Sequence, residues 1–162
     1  VIIGVVLALF ATMWNLGLDS QTSFRQDELM KQQSERTLDL MVSTSGYPED
    51  WEESGEPDIV GFAEQQNVLS VKKINAFSAM DYEEKRSMVK TQDFSLVFRN
   101  VSGDILGQEF AEEVVGDLGE NPFDQGEDVP SDSRTVVKST RDVALNVSGD
   151  LVSTEVIFLA WR

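Results

Sequence analysis

The side chains of this 162-residue chain that could do chemistry are carboxylates, lysines and hydroxyls, because the sequence contains no His and no Cys. Imidazole general bases, thiolate nucleophiles, disulfides and the usual zinc ligands are removed together. The adjacent carboxylates Glu52-Glu53, Glu83-Glu84 and Glu112-Glu113 diverge on a helix or a strand. A glycosidase-type pair would have to come from separate segments. Neither a P-loop nor a GxGxxG stretch is present, so no nucleotide cradle is expected. The sequence therefore predicts no catalytic residue, no cofactor and no metal centre, and the chain reads as something other than an enzyme. The enzymatic alternative is a secreted one using two facing carboxylates.

Two further patterns carry possible chemistry. The acids Asp117, Glu120, Asp124, Glu127, Asp128 and Asp132 lie in a stretch rich in Gly and Pro. They offer hard oxygen ligands for Ca²⁺ but lack EF-hand spacing, so a solvated loop is the expectation. The segment NVSGD occurs twice, at Asn100 and at Asn146. Ser-Gly and Gly-Asp suit tight turns, and each Asn also opens an N-x-S acceptor for N-linked sugar. Both readings place Asn at an exposed strand end.

The net charge is −16, and none of it lies in residues 1–18. So acidic a surface repels nucleic acid and anionic membranes, and no nucleic-acid partner is expected. Stability must come from packing or assembly.

The element that must position everything else is the first one. Residues 1–18, VIIGVVLALFATMWNLGL, contain no charge. As a helix they would be about 27 Å long, close to the thickness of a bilayer's hydrocarbon core. A secretory signal should show a basic start and a small-residue cleavage site, and neither occurs; the chain begins at Val1 rather than Met, so removal of a leader is expected. A membrane anchor and a helix buried among copies of itself remain. Gly4, Ala8 and Ala11 share one helical face, and with Gly17 they permit close helix approach. Val1, Gly4, Val5, Ala8, Ala11 and Trp14 are the candidate self-packing residues, Trp14 lying where the apolar run ends.

Residues 19–45 read as a polar continuation of this helix. Leu38, Met41 and Val42 turn one face onto a folded domain, with Asp27–Lys31 and Gln32–Arg36 as surface pairs. Gly46 and Pro48 stop the helix. Tyr47 and Trp51, in an acidic loop, are expected to fold back over the core rather than form a sugar platform. Residues 59–63 predict a short strand. Residues 70–77 predict a helix with Val71, Ile74 and Phe77 on one side and Lys72 and Lys73 on the other. Asp81 and Glu84 form a capping box for a helix over 82–89. Strands follow at 94–98, 134–145 and 151–161, with a loop over 116–132; the last strand is apolar enough for a central position. The class is α+β: a long N-terminal helix with an apolar first half, packed on an antiparallel sheet domain with short helices. The expected division is 1–18, 19–45 and a globular domain over 46–162.

Several blocks together carry a resemblance. They are Leu9-Phe10 and Trp14-Asn15 closing the apolar helix, then the run LMVSTSGYPEDWE from Leu40 to Glu52. Val60-Gly61-Phe62-Ala63, Val68-Leu69-Ser70 and Lys73-Ile74-Asn75-Ala76-Phe77 come next, and VIFLAWR from Val156 closes the chain. This resembles archaeal type IV pilin-like proteins, whose precursors carry a short basic leader removed by a prepilin peptidase. The block Ser45-Gly46-Tyr47-Pro48-Glu49-Asp50-Trp51 is its most specific part. The resemblance implies a subunit of an extracellular surface filament used for adhesion or attachment. It implies a homo-oligomeric open helix, a cytoplasmic-membrane location before assembly, and surface glycans as candidate partners. Many bacterial pilins carry an acid near the mature N-terminus; VIIGVV does not, so registration through a Glu–amine contact is not expected. The alternative is a monomeric, single-span, membrane-anchored binding protein or a minor pilin.

Overall fold

The computed structural model describes residues 25–55, 57–90, 93–107, 121–133 and 135–162. The candidate self-packing residues from Val1 to Trp14 lie outside them, as do Asp117 and Glu120.

Helix α1 covers residues 25–43. Ser34, Leu38, Met41 and Val42 are buried along it, the i, i+4, i+7, i+8 spacing of a single face. The sequence-derived inward face is therefore the observed one. The chain leaves the helix at residues 44–46, where Thr44 Oγ1 donates back to Leu40 O at 2.8 Å and Gly46 takes φ +83°, a backbone state open to glycine at little cost.

The sheet is built on a long hairpin. Strand β5 (Val136–Val147) and strand β6 (Asp150–Trp161) pair antiparallel over their whole length. Ser148 and Gly149 close them, both with positive φ, the two-residue turn whose twist matches the strands. Strand β3 (Asp93–Arg99) lies on the other side of β6, in register from Asp93↔Trp161 to Arg99↔Glu155. Three short strands complete the sheet: β1 (Ala63–Gln65), β2 (Val68–Ser70) and β4 (Asp124–Gly126). The order is β1-β2-β5-β6-β3-β4. Strand β6 is central, as its apolar density predicts, and Val156, Ile157, Phe158, Ala160 and Trp161 are buried on both of its faces.

The α+β class and the helix-on-sheet arrangement agree with the sequence reading. Pairing differs in one respect: β2 runs parallel to β5, so the sheet is mixed rather than wholly antiparallel. The strand expected over 59–63 begins only at Ala63. Upstream of it, Phe62 N donates to Met41 O at 2.7 Å, and Ala63 N to Thr44 O at 2.9 Å. The end of α1 satisfies this segment's amides in place of a neighbouring strand. Strand β4 falls inside the expected 116–132 loop; its Gln125 is buried and donates to Ile74 O at 3.3 Å and Pro122 O at 2.6 Å.

The core lies between the sheet and a layer made of α1, helix α2 (Trp51–Ser54), helix α3 (Val71–Ser78) and helix α4 (Tyr82–Val89). Phe62 meets Phe77 edge-on at 5.4 Å, and Phe94 stacks between Tyr82 and Phe158 at 5.6 and 5.7 Å, geometries that add to plain area burial. Asp81 takes an extended N-cap backbone but makes no side-chain cap bond; its carboxylate stays in solvent, and the expected capping box does not form. Asp27 does not pair with Lys31. It accepts from Arg162 Nη2 at 2.8 Å and Thr135 Oγ1 at 3.1 Å, tying the start of α1 to β5 and β6. Farther along, Asp39 accepts from Arg141 Nε at 2.6 Å, a bond that raises the Arg141 pKa. Gln32 donates to Glu28 rather than meeting Arg36.

Candidate functional site

The SGYPEDW block, Ser45 to Trp51, forms the corner where α1 hands the chain to the sheet domain. Trp51, in the one-turn helix α2, is fully buried. Its indole Nε1 donates to Ser45 O and Gly61 O, both at 3.1 Å. A buried indole needs such a partner, and here it joins the two chain segments of the corner, at Ser45 and at Gly61. The corner is too tight for side chains at two glycines. A Cβ on Gly46 would lie 2.6 Å from Trp51 Nε1, and one on Gly61 only 2.3 Å from Thr44 O. The Tyr47–Pro48 peptide is cis.

Lys73 completes the corner from α3. Its side chain is buried, and Nζ donates to Ser45 O at 2.6 Å and Glu49 O at 2.5 Å, with Glu52 Oε2 at 3.6 Å. A buried ammonium is tolerated when paired and hydrogen-bonded, and these carbonyls supply that. The sequence reading placed Lys73 with Lys72 on the solvent side. The signal that could have found it is its spacing: Lys73 sits at the edge of the Val71, Ile74, Phe77 face, four residues before Phe77. Held by carbonyls, Lys73 is a clamp on the loop.

Of the two aromatics expected to fold back, Trp51 does and Tyr47 does not. Tyr47 is 62% exposed; its backbone bridges Ile59, with Tyr47 N donating to Ile59 O at 2.9 Å, which turns its ring outward.

Beside the corner lies a polar cleft of about 760 Å³, lined by Glu49, Asp50, Glu64, Lys72 and Asn146 among others. The two sequon asparagines sit at strand ends, half-buried, and both carboxamides close their own turns. Asn100 Oδ1 accepts from Ser102 N at 2.9 Å and Asp104 N at 3.1 Å. Asn146 Oδ1 accepts from Gly149 N at 2.9 Å, while its Nδ2, the atom that would carry sugar, donates to Glu64 Oε2 at 2.9 Å. Asp124, Glu127, Asp128 and Asp132 are exposed, and among the described residues no group of acids is placed to hold a metal ion.

The opposite side of α1 presents a groove of about 630 Å³ lined by Leu29, Leu40, Ile59, Arg36 and Lys90 among others. Leu29, Leu40 and Ile59 are exposed there, Leu29 by 63%. Among the described residues no helix is long and apolar enough to cross a membrane. No family model, curated protein or solved structure matches the chain.

Proposed function

We propose that the chain is a structural subunit of an extracellular type IV pilus-like filament, assembled through bundled N-terminal helices and serving adhesion or surface attachment. The observation that carries the reading is the junction between an uncharged stretch and a rigidly mounted helix. Residues 1–18 hold no charge, and α1, which follows them, is fixed to the domain by a buried face and by Asp27 and Asp39. A load reaching α1 is thereby passed to the domain through packed side chains. Burying such a stretch among its copies gains about 25 cal/mol per Å², while the −16 charge stays on the outside. Before assembly the same stretch would reside in the cytoplasmic membrane.

Gly4→Glu or Ala8→Glu tests the reading. Each variant should abolish filaments while circular dichroism and thermal melting of the domain stay as in the parent. Filaments at normal yield from either variant would contradict it. A second reading, a monomeric membrane-anchored binding protein, draws on the polar cleft beside the Lys73 corner; it predicts detergent-soluble monomers.

A further inference from the structure

We infer that copies of this chain dock head to tail, the pole formed by the two NVSGD turns of one copy seating in the groove along α1 of the next. The inference deepens the filament reading by naming a contact between its subunits.

Four observations carry it. The first is polarity. Asp93 pairs with Trp161 at one end of β3 and Arg99 with Glu155 at the other. The turn at residues 100–104 and the β5–β6 turn therefore point the same way along the sheet, the β5–β6 turn lying farther out by residues 150–154 of β6. Lys90, which lines the groove, precedes β3 at the opposite pole. Seven strand residues span about 20 Å, which separates the Lys90 end of the groove from the turn at residues 100–104.

The second is apolar exposure at both places. Val101 is 85% and Leu151 64% exposed on the tips, matching the exposed Leu29, Leu40 and Ile59 of the groove. Third is charge. The groove holds two cations, Arg36 and Lys90, against one carboxylate, Asp58, in a protein of net charge −16. Among the described residues neither cation is paired with a carboxylate. The tips offer the exposed acids Asp104 and Asp150. Copies this acidic repel one another over most of their surface, so a cationic apolar patch is where an acidic apolar tip is favoured. The fourth is symmetry. Tip and groove are different surfaces, so the contact is heterologous and continues as an open polymer.

The chain's lack of Cys gives a clean test on the full-length protein, with the bare polypeptide confirmed by intact mass because sugar on Asn100 would cover a tip. Leu40→Cys and Val101→Cys are made singly and together and oxidised under assembly conditions. The expected result is a dimer when the single variants are mixed and a ladder from the double variant. Arg36→Glu with Lys90→Glu should reduce the ladder to background, and adding Asp104→Lys with Asp150→Lys should restore it. Fibres in micrographs without a ladder would overturn the tip-in-groove contact and leave the filament reading standing. A ladder without fibres would support the contact and count against that reading. Absence of both overturns both. A ladder indifferent to the charge reversals also overturns the contact.

Discussion

The two sides of α1 make opposite uses of the same helix. On the inner side and at its end, buried donors are matched: Trp51 Nε1 and Lys73 Nζ each donate to two carbonyls, Glu52 Oε2 lies 3.6 Å from Lys73 Nζ as an ionic neighbour without a hydrogen bond, and Gly46 and Gly61 leave no room for a side chain. The outer side carries exposed Leu29 and Leu40 beside Arg36, which makes no ion pair among the described residues. A matched, buried polar network fixes one conformation at the cost of adaptability. Exposed apolar area flanked by charge contributes little to the isolated fold and is available to a partner. The comparison teaches that the corner belongs to stability, and it is the groove to which the proposed contact between copies is assigned.

The largest effects should follow from breaking the corner. Trp51→Ala should lower domain stability by about 3–5 kcal/mol in urea unfolding, because it removes a fully buried side chain and orphans the Ser45 and Gly61 carbonyls. Lys73→Met should cost about 2 kcal/mol, since Ser45 O and Glu49 O lose a buried donor. It would sharpen the assignment of Lys73 as a clamp if Lys72→Met, one residue away and exposed, left unfolding unchanged. On the outer side, Leu29→Gln should change the domain's unfolding free energy by less than about 0.5 kcal/mol while weakening association. A large loss of stability there would erase the distinction between the two sides.

The smallest effect is a pH dependence at the edge of the core. Burial, with Asp93 nearby, raises the Tyr82 pKa, against the opposing bond from Phe94 N. Its folded-state value lies above the ordinary 10.0, so the associated stability is full below the unfolded value and is lost as pH rises through the folded one. Alkaline unfolding of Tyr82→Phe should therefore be less steep above pH 10 than that of the parent.

Much of the fold is legible where long periodic segments do the packing. Leu38, Met41 and Val42 announce the inner face of α1. The alternation of Val156, Phe158 and Ala160 announces the central strand, and NVSGD at Asn146 announces the hairpin. What stays hidden has short-range signals too weak to read. Strands β1, β2 and β4 have three residues each, too few for a period-two pattern, and their pairing is decided by neighbours distant in sequence. The parallel β2–β5 contact is of this kind. Lys73 is hidden because a lysine's composition argues for solvent, and only the carbonyls of Ser45 and Glu49, brought in by the corner, override that. Tyr47 and Trp51 look alike in sequence; the Tyr47–Ile59 bridge separates them by turning one ring outward.

The central claim is tested most directly by electron microscopy of the full chain after detergent removal. The account predicts regular fibres built from folded subunits. Dispersed monomers that need detergent to stay soluble, with residues 1–18 lodged singly in lipid, would contradict it.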